Sequence, residues 1–168
     1  MKFQNKLLIL LFAVLFGTFA FAQKKVASPA ESVTGKINGA TITIKYGSPS
    51  VKGRAIWGAL VPYDKVWRAG ANEATTFETD KTIAIEGKQL PAGKYSFFVI
   101  PNENESIIIF NKEPKQWGAY DYKESNDQLR VTVKNERGDA LIEKLEYKIL
   151  ETRIELLWEK LIIGFEVK

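Results

Sequence analysis

Apolar and polar side chains alternate with the two-residue period of half-buried β-strands along most of this chain. Ile42, Ile44 and Tyr46 interleave with Thr41, Thr43 and Lys45. Upstream, Asn38-Gly39 separates Ser32–Ile37 from Ala40–Tyr46. This dipeptide is the strongest short hairpin signal, because both turn residues must tolerate positive φ. Thr82–Glu86 predicts a strand with Ile83 and Ile85 on one face. Leu90-Pro91-Ala92-Gly93 fits a β-turn with proline second and glycine fourth. It feeds Lys94–Ile100, which is apolar on both faces and so predicts a central strand, and Ser106–Phe110 has the same character. Leu129–Lys134 alternates again, and Leu141–Leu150, Thr152–Trp158 and Leu161–Val167 predict three more strands. In the last of these Leu161, Ile163, Phe165 and Val167 share one side. No segment carries a sustained helical period; at most a short helical turn is expected over Gly53–Leu60. About eight or nine short strands with frequent turn signals predict an all-β fold, an antiparallel β-sandwich or barrel-like sandwich with one long ordered loop.

That loop is the stretch between Tyr46 and Thr75, about 25 residues without periodicity, and ordered loops of such length are usually functional. It holds Trp57, Tyr63, Trp67, Arg68, Asn72 and Glu73, side chains that pack and hydrogen-bond at once. A second concentration of such residues is Gln116-Trp117-Gly118-Ala119-Tyr120-Asp121-Tyr122.

The first 22 residues change the picture in another way. Lys2 and Lys6 precede an uncharged apolar run, Leu7–Ala22, that ends in Ala20-Phe21-Ala22. This is the pattern of a secretory signal peptide cleaved between Ala22 and Gln23. At 16 residues the run is short of the ~20 needed to cross a bilayer. The expected organisation is therefore residues 1–22 as signal peptide, 23–30 as flexible leader and 31–168 as one domain. The product is expected to be exported and soluble, in the periplasm or outside the cell, with no transmembrane helix. Removing Lys2 and Lys6 from 24 basic side chains leaves 22 against 20 acidic ones, a net charge of +2. Such a balance, with the basic residues scattered, points away from nucleic acid.

Composition narrows the chemistry. The chain has no histidine and no cysteine. Imidazole general acid–base catalysis, Ser-His-Asp and Cys-His triads, and thiolate or imidazole zinc sites are therefore ruled out. Neither a Gly-x-Ser-x-Gly nor a Ser-x-x-Lys motif occurs. No catalytic residue, metal ligand or cofactor is assigned. The expected binding residues are Trp57, Tyr63, Trp67, Arg68, Asn72, Glu73, Trp117, Tyr120 and Asp121. Their aromatic faces would stack on a small polar ligand, a glycan or a peptide of the envelope, while Arg68, Asn72, Glu73 and Asp121 bond its polar edges. Two other readings stand beside this one. The aromatics would simply plug one end of the sandwich, with Arg68 and Glu73 as a buried ion pair bracing the loop. Or the chain would be a metal-free hydrolase, with Glu73 and Asp121 as acid and base on a glycosidic bond, or with Lys94, desolvated near the aromatics, as a nucleophile or base.

Several blocks together carry a family resemblance: Val51-Lys52-Gly53-Arg54, Ile56-Trp57-Gly58, Val61-Pro62-Tyr63, Val66-Trp67-Arg68, Gly70-Ala71-Asn72-Glu73-Ala74-Thr75, Leu90-Pro91-Ala92-Gly93, Tyr95-Ser96 and Trp117-Gly118-Ala119-Tyr120-Asp121. In this order they resemble the bacterial family known as domain of unknown function 2911, over roughly residues 40–134 and more loosely into the C-terminal strands. The resemblance implies an exported envelope protein with no activity attached. Many members look like lipoproteins, and the absence of cysteine sets this chain apart from them.

Overall fold

In the computed structural model, which describes residues 27–168, Asn38 and Gly39 take positive φ of 49° and 78°. They turn β1 (Ala30–Ile37) directly into β2 (Ala40–Gly47), as the hairpin signal predicts. The proposed signal peptide lies outside the described residues. The strands that follow are β3 (Thr75–Thr79), β4 (Ile83–Ile85), β5 (Lys88–Leu90), β6 (Gly93–Pro101), β7 (Glu105–Asn111), β8 (Asp127–Ile149) and β9 (Arg153–Glu166). Seven of them form one antiparallel sheet in the order β1-β2-β3-β6-β7-β8-β9, and β4 and β5 pair separately. Among the described residues there is no α-helix, only a 3-10 turn over Glu124–Asn126.

The antiparallel sandwich architecture is as the alternation predicts, but beyond the short strand β5, which no alternation marks, the elements differ in three places. Leu129–Lys134 and Leu141–Leu150 belong to one strand, β8, and Thr152–Trp158 and Leu161–Val167 to β9 with its C-terminal extension. Bulges disguise this continuity. β8 advances from Arg137 to Ile142 while β9 steps back only from Leu161 to Glu159, which has φ of 58°. Extra residues of this kind break the period of two and bend the strand. Second, Thr75–Thr79 is a strand whose inward positions are Thr75, Phe77 and Thr79. Its buried hydroxyls donate to the carbonyls of Ala69 and Lys81, so threonine stands where an apolar residue would signal burial. Third, Gly53–Leu60 forms turns closed by Trp57 and Val61 rather than a helical turn.

The bend in β8 closes the structure. Its first half pairs with β7, and its second half crosses to the segment leaving β2. Leu145 N donates to Pro49 O at 2.9 Å, Ser48 Oγ to Leu145 O at 2.7 Å, and Val51 N to Glu143 O at 2.8 Å. At the other end of the curl, Ala84 and Lys168 exchange two backbone bonds, tying β4 to the end of the chain. The sheet thus folds over itself around one core in which Phe77, Phe97, Phe110, Phe165 and Trp158 are all at most 1% exposed. The outer face of β6 and β7 is covered too: Phe98 and Ile109 pack under Val66, Ala74, Ala119 and Tyr122. The loop between β7 and β8 therefore lies on the outside of the sheet, and that placement creates the site described below.

Burial raises the ionisation of Tyr46, Tyr95 and Tyr147 above the ordinary phenol value, and burial with the Tyr122–Asp127 hydrogen bond does so for Tyr122. A raised folded-state value means the unfolded chain releases these protons first. The stability they contribute is fully present below pH ~10 and falls as pH rises beyond it. Urea unfolding at a series of pH values is expected to show a plateau through neutral pH and a decline above ~10. Tyr147→Phe is expected to remove up to ~1.4 kcal/mol per pH unit of that decline.

Candidate functional site

The segment Val66–Thr75 is shaped by one backbone group. Trp67 pairs with Val99 through two backbone bonds, 2.8 and 2.9 Å, which places its indole in the core. There it stacks on Trp158 at 6.0 Å and meets Trp57 edge-on at 5.6 Å. The chain then reverses at Ala69, whose φ of 51° is unfavourable for a residue with a side chain. The Ala69 carbonyl is held from two sides, by Tyr147 Oη at 2.7 Å and by Thr75 Oγ1 at 3.0 Å. The next residues run against the end of β2, where Ala71 N donates to Gly47 O at 3.2 Å. No side chain fits at Gly47, because a Cβ there would overlap the Ala71 carbonyl.

This turn projects Asn72 and Glu73 onto the outer face of the sheet, against the loop between β7 and β8. Ala74 N donates to Gln116 O at 2.9 Å and Gly118 N to Asn72 O at 3.1 Å. The two bonds hold Trp117 at the rim, 59% exposed, above an open groove of about 930 Å³. Ser32, Lys45 and Thr76, paired across β1, β2 and β3, form the groove floor; Asn72, Glu73 and Trp117 form its wall. Lys94 and Lys115 also reach the groove, and Lys94 is 3.6 Å from Glu78. Asn72 Nδ2 donates to Ser28 O at 3.2 Å, which fastens the segment preceding β1 beside the site.

The nine residues singled out in the sequence therefore separate into groups. Asn72, Glu73 and Trp117 come together at the groove. Trp57 and Trp67 pack with Trp158 in the interior instead, and Tyr63 lies against the turn at Gly58. Tyr120, 85% exposed, and Asp121 stand on the same outer loop without lining the groove. Arg68 is half-buried with no hydrogen-bond partner for Nε, and Arg68 and Glu73 form no ion pair. The floor residues Ser32, Lys45 and Thr76 occupy ordinary outward strand positions. Only the pairing of three strands unites them, and nothing in the sequence separates them from any other solvent-facing row.

A barrel-like all-β sandwich with an aromatic-rimmed groove on its outer face, built from a Trp-Arg-x-Gly-Ala-Asn-Glu-Ala-Thr turn, defines the class of protein. Its family is shown by a match over residues 28–167 to the model described as Protein of unknown function (DUF2911), and the chain belongs to that family. The match takes in the C-terminal strands as well as the motif blocks. No match was found among curated proteins or among solved structures.

The turn and the groove it presents have separable energetics. Gly47→Ala, which forces a methyl group into the Ala71 carbonyl, is expected to cost about 3 kcal/mol. Glu73→Gln, at an exposed side chain, is expected to stay within ~0.5 kcal/mol of the parent. Paired urea unfolding curves check both.

Proposed function

We propose that this is an exported, non-catalytic binding protein of the cell envelope. Its groove holds a polar ligand with an apolar face, a glycan or peptide fragment. The signal-peptide pattern at residues 1–22 supports export, and the family it belongs to has no assigned activity. The observation that carries the binding reading is Trp117. A tryptophan 59% exposed is costly in solvent, yet this one is fixed by two backbone bonds at the rim of a groove floored by hydroxyls and an ammonium group. Its ring would cover the apolar face of a ligand. Asn72, Glu73 and Lys45 would supply acceptor and donor groups to the polar edges.

The structural alternative accounts for Trp57, Trp67 and the Ala69 turn, which brace the loop from within. It offers no reason for holding Trp117 outward. The hydrolase reading gains nothing from the geometry, since Asp121 does not line the groove that Glu73 faces.

Fluorescence tests the proposal, because Trp158 and Trp67 are buried at 1% and 9% exposure and Trp57 is half-buried, so collisional quenching by acrylamide reports chiefly on Trp117. Peptidoglycan fragments and short envelope peptides are the probes. A ligand of the groove is expected to shield Trp117 from quenching, and Trp117→Ala to weaken its binding about 30-fold, equivalent to ~2 kcal/mol. Unchanged quenching with every probe, or equal affinity in the alanine variant, would contradict the reading.

A further inference from the structure

The hydrogen-bond phase of the β1–β2 ladder determines what the far edge of β1 offers. Ser48 N donates to Pro29 O at 2.8 Å, and Pro29 and Ser48 continue the register that pairs Ala30 with Gly47. Hydrogen-bonded pairs recur every second residue in an antiparallel ladder. Glu31, Val33, Gly35 and Ile37 therefore turn their backbone groups toward β2. Ala30, Ser32, Thr34 and Lys36 turn theirs away, toward an edge that no other described strand pairs with. The two-residue turn after Ile37 requires the same phase, since it closes on an Ile37–Ala40 pair.

Free edges are usually blunted by proline, bulges, inward charges or a cover. Here Pro29 and the inward-phase Glu31 blunt only the start of β1; the strand keeps regular register from Ala30 to Ile37, and its outward side chains at Ala30, Ser32 and Thr34 are small and uncharged. The outward charge on this strand is Lys36, and on β2 it is Lys45. Neither has a carboxylate within 4.0 Å among the described residues. On the opposite face, Val33 and Ile149 pack against the core but stay partly exposed. A strand laid beside β1 would thus meet hydroxyls and two ammonium groups on one face; on the other it would meet Glu31 near the start of β1 and then the apolar side chains of Val33 and Ile149.

We infer that β1 accepts an extended, acidic polypeptide segment as an eighth strand of the main sheet. The segment's alternate carboxylates would face Lys36 and Lys45, and its apolar residues would cover Val33 and Ile149. Backbone bonds to Ser32, Thr34 and Lys36 supply the attachment, and side-chain alternation supplies the selectivity. The inference deepens the groove reading and rests on it in one respect: Ser32 and Lys45 belong to both, so the groove opens where the added strand would lie. A second copy of this chain fits less well. Pairing two β1 strands about a two-fold axis adds a second Lys36 and Lys45 to the same face and brings no outward carboxylate from β1 or β2 to meet them.

The test uses protein produced from the full-length chain, labelled with ¹⁵N, and two blocked octapeptides, one alternating valine with glutamate and the other valine with lysine. With the glutamate peptide, amide exchange at Ser32, Thr34 and Lys36 is expected to slow ~10-fold or more. The lysine peptide should leave it unchanged. Thr34→Pro removes an outward donor without touching the β2 ladder, so it should abolish the effect while Val33 and Gly35 stay protected. Replacing both Lys36 and Lys45 by glutamate should reverse the peptide preference, which misfolding does not produce. If the glutamate peptide leaves the edge amides in fast exchange but perturbs Trp117, strand addition is overturned and the groove reading survives. If neither region responds to it, strand addition is overturned, and the groove reading stands or falls on the Trp117 quenching measurement. Edge protection that grows with protein concentration alone would assign the edge to a second copy and overturn the proposal.

Discussion

The Ala69 carbonyl is the point from which the outer architecture hangs. A left-handed alanine costs of order 1–3 kcal/mol unless its surroundings determine it. Here the hydroxyls of Tyr147 and Thr75 converge on its oxygen from β8 and β3. Tyr147 is buried, so leaving its hydroxyl without an acceptor would carry a desolvation penalty of about 1–3 kcal/mol. The strained turn and the buried phenol thus stabilise each other. Trp67 before the turn anchors in the core, and Asn72 and Glu73 after it emerge on the opposite side of the sheet. A single reversal therefore couples the interior of the fold to its groove.

The long bent strand β8 makes that coupling reach across the molecule. Its bulges let one strand serve β7 at its start and the segment after β2 near its end. Tyr147 lies in that second half, so curvature of the sheet is what brings the phenol to Ala69. The close approach of Gly47 to Ala71 then sets the depth at which the turn sits on β2. The loop after β7, bonded to the same turn, inherits its position and carries Trp117 with it. Closure, turn and groove form one chain of contacts rather than three separate features.

Alternation made the first hairpin, the central strands and the all-β class legible in the sequence. Ile42, Ile44, Phe97 and Val99 are buried where the period of two puts them. Legibility failed where polar residues do the work of apolar ones. Thr75 and Thr79 are inward strand residues with satisfied hydroxyls, and in isolation they read as loop. It failed again where bulges broke the phase of β8 and β9. At the candidate site, the concentration of Trp, Arg, Asn and Glu correctly marked an unusual segment but not its two faces. Trp57 and Trp67 resemble Trp117 in composition, and only the path of the backbone sends two inward and one outward. The floor residues Ser32, Lys45 and Thr76 lie on three strands separated in sequence, so no local pattern links them.

The most direct measurement of the central claim is amide hydrogen exchange in a Thr75→Val, Tyr147→Phe double variant, which strips both donors from the Ala69 carbonyl and keeps side-chain shape. If that carbonyl organises the groove, the amides of Ala71, Ala74 and Gly118 should exchange ~10-fold or more faster than in the parent, while those of β6 and β7 keep their protection. Unchanged protection at Ala71, Ala74 and Gly118 would show that the groove is held by other contacts and would contradict the account.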